Sequence, residues 1–413
     1  MRYRIEKDLL GQRQVPAEAY YGIETLRGKE NFEITKRGIC RQMIKALAIV
    51  KKAAAKANVD ALNIDEKVGK AIMLACDEIL NGRLHGQFVT DLIQGGAGTS
   101  MNMNANEVIA NRANELLGGK KGVYDFVHPN DHVNFGQSTN DVIQTAGKIA
   151  IVKQLKKLQV ELKKLYNAYL NKATEFKDVI KMGRTHLQEA LPLRLGQEFS
   201  AYASALNRDM KRIDVAIEAL LEVNMGATAI GTSLNANEKY RKKVIYYLNK
   251  FSGEQIKPAK DLIDATRNFD TFGQASSTLK LLALNLSKTA SDLRLMASSG
   301  SNGFSEITLP HVQPGSSIMP GKYNPVVPEM VNQVCFYVIG LDVTITKAIE
   351  AGQLELNVFG PIILMSLFEQ ITTLRRATRT FHNLAISGLI ANTTKYKTDN
   401  SIYFCLLYTS DAA

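Results

Sequence analysis

Apolar residues recur three and four apart over long reaches of this chain. From Leu155 they fall at Leu158, Leu162, Leu165 and Tyr169. That spacing places them on one stripe of a helix of the kind that packs in bundles. The stretches 195–222, 262–298 and 325–356 read the same way and are rich in Ala, Leu and Ser or Thr. Prolines leave long gaps between Pro129 and Pro192, Pro192 and Pro258, Pro258 and Pro310, and Pro328 and Pro361. Since proline breaks helix interiors, those gaps permit unusually long helices. Asn140-Asp141 and Asp261 are expected N-caps. Small residues at Ala201–Ala205 and Ala275–Ser277 allow helices to approach closely. The pattern predicts an all-α core of long, nearly antiparallel helices. A few helices this long leave apolar stripes uncovered in one chain, so homo-oligomers sharing a core are expected. No repeat of solenoid period is visible.

The first 139 residues differ. They combine mixed segments with a Gly-rich turn, Gly95-Gly96-Ala97-Gly98, and loop runs such as 128–136. We divide the chain into a smaller, mainly helical N-terminal domain at 1–139 and a central long-helix bundle at 140–393. The residues 394–413 form a C-terminal remnant, within which 402–413 (IYFCLLYTSDAA) carry no helix pattern and read as a non-native tail.

Composition narrows the class. Of 413 residues, 45% are hydrophobic and 22% charged, which is globular and argues against disorder. No apolar run reaches the roughly 18 residues of a membrane span. The first residues, MRYRIEKDLLGQRQ, are too polar for a secretory signal, so a cytoplasmic location is expected. Four cysteines (Cys40, Cys76, Cys335, Cys405) lie scattered with no CxxC pair and read as reduced thiols. Net charge is +11, but the cations lie along helix-like stretches such as Lys153, Lys156, Lys157, Lys163 and Lys164. With no Arg-rich arm, a solvated helix face is a better reading than nucleic-acid binding.

Four segments combine glycine with hydroxyl, amide or imidazole groups: 98–102 (GTSMN), 136–141 (GQSTND), 183–186 (GRTH) and 315–325 (GSSIMPGKYNP). Each is expected just ahead of a long helix. Free N–H groups and the positive dipole end there suit a carboxylate. Singly, each segment reads as ordinary capping; together they suit a small dicarboxylate. Other chemistries fail on detail. Gly95–Ser100 lacks the lysine of a phosphate loop, and the sixth position from Gly96 is Met101, so GxGxxG fails too. His128 and His132 are four apart, but Pro129 interrupts the helix that would let them share a metal, so a surface loop is expected. No GxSxG elbow is present.

The fourth segment is the most specific. It fits the pattern G-S-x-x-M-x-x-K-x-N, and by it the chain resembles the aspartase/fumarase superfamily, from about residue 3 to 401. The flanks, 307–314 (ITLPHVQP), 326–329 (VVPE) and 332–334 (NQV), look like those of aspartases rather than fumarases. So do 20–25 (YYGIET) and 351–357 (AGQLELN).

The resemblance implies a homotetramer with a shared twenty-helix bundle and active sites built from three subunits. It implies reversible anti elimination of ammonia from L-aspartate to give fumarate, without an organic cofactor. Some members are activated by Mg²⁺; no metal ligand is assigned here. The Cβ proton is very weakly acidic, so the site must stabilise an aci-carboxylate intermediate with aimed donors. By resemblance, Thr99, Ser138 and Thr139 hold the β-carboxylate, and Asn140 the amino group. Thr185, His186, Lys322 and Asn324 engage the α-carboxylate. Ser316 matches the catalytic base, with Ser317 left open as an alternative on sequence alone. Its alkoxide would be supported by loop N–H groups and Lys322. His186 is tempting as a base in its own right, and a plain packed histidine is its bland reading; the superfamily pattern gives it a binding role.

Glycines and prolines would let the loop close over substrate. Tyr323 stands where the superfamily usually has Val. Beyond Ser401 the superfamily continues into a small helical domain that 402–413 do not resemble. The competing readings are a fumarate hydratase, a non-catalytic structural member of the fold, and a basic nucleic-acid-binding helical protein.

Overall fold

The stripe that begins at Leu155 is the inner face of a single 37-residue helix. Leu155, Leu158, Leu162, Leu165 and Tyr169 are all fully buried in the computed structural model, which describes residues 2–298 and 302–394. In chain order the elements begin with a hairpin, β1 (Tyr3–Asp8) and β2 (Gly11–Pro16). The helices α1 (Ile23–Asn31), α2 (Arg41–Asp60), α3 (Glu66–Leu80) and α4 (Thr99–Leu116) follow, then the long α5 (Thr139–Glu175). A second hairpin, β3 (Ile180–Thr185) with β4 (Gln188–Arg194), leads into α6 (Leu195–Leu220). The two-residue strands β5 (Glu222–Val223) and β6 (Lys257–Pro258) flank α7 (Glu238–Ser252). Then come α8 (Leu262–Arg267), α9 (Asp270–Met296), β7 (Ile307–Thr308), α10 (Val326–Glu350), α11 (Gly360–Phe381) and β8 (Ile390–Ala391). The architecture is helical, as the periodicity implies, with four two-stranded ribbons among the described residues.

The chain forms two compact units that interleave in sequence. Among the described residues, the first holds those within 1–154, 216–275 and 343–368, and the second those within 155–215, 276–342 and from 369 to 394. The whole 1–139 region therefore lies inside the first unit. There α2 packs on α3 and α7, and α4 on α1 and α3. The core of the second unit includes an aromatic cluster of Tyr169, Phe176, Phe199 and Tyr202, with ring centroids 5.5 to 6.4 Å apart. The Tyr202 hydroxyl donates to Asp292 at 3.1 Å.

Several sequence expectations are corrected. The stretch 262–298 is two helices, because Asn268 is extended (φ −101°, ψ 136°) and ends α8. Its start is capped as expected: Asp261 accepts from the Ile263 and Asp264 N–H groups. At α5 the cap is Ser138, not Asn140-Asp141. The Ser138 hydroxyl accepts the Asn140 N–H at 3.2 Å, and Asp141 accepts the Ser138 N–H at 2.9 Å. This is a reciprocal capping box that uses Asp141 as its returning acid.

His128 and His132 share one wide helical turn, Pro129–Val133, rather than a surface loop. Proline at its first position needs no N–H partner there, and the His128 N–H donates to His132 Nδ1 at 2.8 Å. The helix α10 is long and apolar enough to cross a membrane, with a mean hydropathy of 1.3 in its most apolar window, although 39% of that window is buried within the chain. It also buries Asp342, which accepts from Ser276 and Lys280 at 2.6 Å each, as a core helix does. Cys76 and Cys335 are buried free thiols and Cys40 is half-buried. Cys405, the proposed 402–413 tail and all but Thr394 of the 394–413 remnant lie outside the described residues.

Candidate active site

The first unit assembles Thr99, Ser138, Thr139 and Asn140 at two helix starts. Ahead of α4, the chain turns through Ala97 (φ +57°) and Gly98 (φ +95°), so that Thr99 opens the helix. The Thr99 hydroxyl donates to the Gly96 carbonyl at 2.6 Å. A side chain at Gly98 would press on Ile143 of α5 at 3.2 Å, which explains the glycine between the two helix ends. Asn102, one turn into α4, donates to Thr139 Oγ1 at 3.3 Å and to Asn134 Oδ1 at 3.2 Å.

Of the four predicted residues, Ser138 and Thr139 line a cleft of about 960 Å³, and Thr99 and Asn140 do not. Ser138 and Thr139 lie on one wall, Thr228 and Ala229 on the other, with Phe135 and Leu234 also lining it. The walls are joined by backbone donors. Asp141, fully buried, accepts the Gly226 and Thr228 N–H groups at 3.1 Å each besides that of Ser138. Thr228 (φ +61°) follows Gly226 (φ +93°) in a left-handed turn, and the N–H groups of both residues are spent on the Asp141 carboxylate. Asn140 spans the same gap, donating to the Ala229 carbonyl at 2.7 Å.

Behind this wall lies a buried cation. Lys51 of α2 is fully buried, and its ammonium donates to Asn134 Oδ1 at 2.8 Å and Gln137 Oε1 at 3.0 Å. Burial pushes its pKa down to about 7, with the Asp141 charge opposing. Burial in turn pushes Asp141 up to about 6, against the three N–H donors and Lys51. Sequence reading missed Lys51 and the 226–229 wall. The visible signal was a lysine on the apolar face of α2, between Leu47, Val50 and Ala54, all buried.

The second unit carries the remaining residues on two supports. Thr185 and His186 sit at the exposed end of the β3–β4 hairpin, not ahead of a helix as the sequence suggested. The reason is the turn. Thr185 pairs with Gln188, and His186 (φ +55°) and Leu187 (φ +60°) both take the left-handed conformation of a two-residue type I′ turn. Such a conformation in two non-glycine residues is strained, and strain of this kind clusters at functional turns.

The other support is the loop 315–324. The Gly315 N–H donates to the Lys322 carbonyl at 2.8 Å, and Asn324 Nδ2 to the Gly315 carbonyl at 2.9 Å. His311 stacks on Tyr323 with centroids 3.7 Å apart and planes 5° apart. Ser316 is half-buried, and its Oγ accepts the Ile318 and Met319 N–H groups at 3.3 and 3.2 Å. Lys322 is exposed and Ser317 points its hydroxyl into no comparable pair of donors among the described bonds. Glu306, just ahead of β7, ties the two supports at their bases. It is buried and paired with Lys181 at 2.7 Å and with Arg184, the residue before Thr185.

A long-helix fold whose helix starts and glycine loops present hydroxyls, amides and one lysine defines a lyase of the aspartase/fumarase superfamily. The family pattern described as Lyase matches residues 11–340. An aspartate ammonia-lyase from Bacillus subtilis is 54% identical over 395 residues, which is 96% of this chain and 83% of that protein. A fumarate lyase/delta crystallin from Brucella melitensis superposes with a TM-score of 0.95 at 47% identity, covering 96% of this chain and 87% of that one. A class II fumarase from Schistosoma mansoni gives 0.94 at 35% identity, with the same coverage. The chain belongs to the aspartate ammonia-lyase family.

Proposed function

We propose that this enzyme converts L-aspartate reversibly to fumarate and ammonia by anti elimination, with Ser316 as the base. One observation carries the assignment of the base. Two backbone N–H groups aim at Ser316 Oγ, so an alkoxide formed there inherits two donors already in place. Ser316 takes the Cβ proton, and the adjacent carboxylate accepts the charge as an aci-carboxylate. The amino group then leaves from the opposite face. Thr99, Ser138 and Thr139 hold that carboxylate, their donors lying beside two helix N-termini whose dipoles favour negative charge. Thr185, His186, Lys322 and Asn324 receive the α-carboxylate, and Asn140 the amino group.

In this reading no organic cofactor takes part and no metal ligand is assigned. The described residues contain no group of three His, Cys, Asp or Glu side chains placed to hold a metal ion. The assembly is a homotetramer, with each site drawn from three subunits. Supporting this, α10 leaves Phe336, Tyr337 and Val343 about half exposed or more on a strongly apolar helix. The reading places the enzyme in the cytoplasm, with neither nucleic acid nor membrane as partner.

Fumarate appearance by ultraviolet absorbance tests the reaction, with L-aspartate and L-malate supplied separately. Fumarate from aspartate alone supports it, and fumarate from malate alone replaces it with a hydratase. Ser316→Ala abolishes turnover while leaving the oligomer intact; turnover at the original rate removes Ser316 from its role.

A further inference from the structure

We propose that Asp141 is a positioning residue that sets the width of the substrate cleft by stitching its two walls through one carboxylate. This rests on the assignment of the cleft as the place where aspartate binds. Asp141 does not line the cleft and is fully buried. One carboxylate oxygen takes the Ser138 N–H at 2.9 Å, and the other takes the Gly226 and Thr228 N–H groups at 3.1 Å. Ser138 belongs to one wall and Thr228 to the other. A carboxylate with donors on both oxygens admits one arrangement of those donors, because it is acceptor-only and its lone pairs are directional.

Among the described hydrogen bonds of the first unit, two side-chain amides also join these segments, Asn224, which donates to the Asn140 carbonyl at 3.2 Å, and Asn140, but neither takes backbone N–H groups from both walls as Asp141 does. Asn140 is already engaged with the Ala229 carbonyl at 2.7 Å. The titratable groups that act on Asp141 are Lys51 from α2 and Tyr240 from α7. Both belong to helices that pack together behind the cleft.

Protonation makes the carboxyl a donor as well as an acceptor, and one of its oxygens must then face an N–H with a hydrogen of its own. The cleft then loosens while the helices around it stay. Burial raises the Asp141 pKa to about 6. A folded-state value raised above the unfolded one gives a stability contribution that is fully present at low pH and lost as pH rises through the folded value. Acid therefore weakens substrate binding through Asp141 without weakening the fold through it.

The test uses the full chain in steady-state deamination between about pH 5 and 8. Expected is a wild-type KM that rises about tenfold on acidification through an inflection near 6, with kcat less affected. Asp141→Asn presents an amide N–H to backbone donors. It is expected to hold the raised KM at every pH, without the inflection, and with its thermal midpoint little changed. A wild-type KM and an unaltered acid limb in Asp141→Asn overturn the inference. If that variant fails to fold, the wild type alone decides: fumarate-induced thermal stabilisation that is the same at pH 5 and 7 overturns it. A wild type that neither turns over aspartate nor binds fumarate at pH 8 overturns the functional reading itself. Turnover by wild type together with an indifferent Asp141→Asn overturns only the role of Asp141.

Discussion

Replacing Lys51 by Met should change stability by an amount that depends on pH, and the size of that dependence follows from the burial of one ammonium. The lysine side chain is fully buried and donates to two amide oxygens. Its pKa falls from 10.5 to about 7, chiefly through burial. That fall corresponds to about 5 kcal/mol between the two protonation states. Because the folded value lies below the unfolded one, the associated stability is fully present above 10.5 and is lost as pH falls through 7. Methionine has similar length and no charge, so it escapes that loss. Against this, Asn134 and Gln137 lose their donor, at about 1–3 kcal/mol each.

The two effects nearly cancel at pH 6. At pH 9.5 the wild-type lysine is neutral in the fold, most of the relief is gone, and the hydrogen-bond loss dominates. The lost hydrogen bonds are common to both conditions, so the difference between them isolates the buried charge. It should be about 3 kcal/mol. Urea unfolding of wild type and Lys51→Met at pH 6 and 9.5 measures it. A difference below about 1 kcal/mol would refute the claim that Lys51 is a cation held in a dry site.

Leu162→Ala removes a fully buried side chain from the α5 stripe and should cost about 2–5 kcal/mol in denaturant unfolding. Glu107 accepts from the N–H groups of Gly22, Glu24 and Thr25 and from the Thr25 hydroxyl, and burial raises its pKa to about 7. Its stabilising share is full at low pH and lost as pH rises through 7, so Glu107→Gln should lower the thermal midpoint more at pH 5 than at pH 8. Gly231→Ala places a methyl 2.4 Å from the Ile263 backbone at φ +95°, and should cost about 2 kcal/mol or more by the same unfolding assay.

The long helices were legible because burial imposes a period that sequence displays directly. Every residue in the Leu155–Tyr169 stripe is buried, and the proline gaps span α5, α6, α9 and all but the first turn of α10. The break at Asn268 was not legible, since 262–298 keeps its composition across the kink. The hairpin under Thr185 and His186 escaped as well. Its turn uses His186 and Leu187, where left-handed backbone normally announces itself by glycine or asparagine. Among site residues, the motif segments supplied names but not supports. Ser138 read as a binding hydroxyl and is also the cap of α5. Asp141 read as a cap and is the acid that holds both walls.

What fixes the site is a set of buried charges that local patterning would count as errors: Lys51 on an apolar helix face, Asp141 inside the start of α5, Glu306 between Lys181 and Arg184. Each costs desolvation and each is matched by several partners, the condition under which a buried charge is tolerated. Their positions have a common logic. Apolar contact is non-directional and sets how closely helices approach, but it does not specify where a loop hydroxyl sits to a few tenths of an ångström. A buried carboxylate or ammonium with two or three partners does specify it, because displacing any partner leaves a dry charge unmatched. The cleft-lining hydroxyls of Ser138 and Thr139 can therefore stay half-exposed while the backbone beneath them is held. Departures from local sequence rules are expected to gather where function sets the geometry, and in this chain they gather one layer behind the cleft and the hairpin.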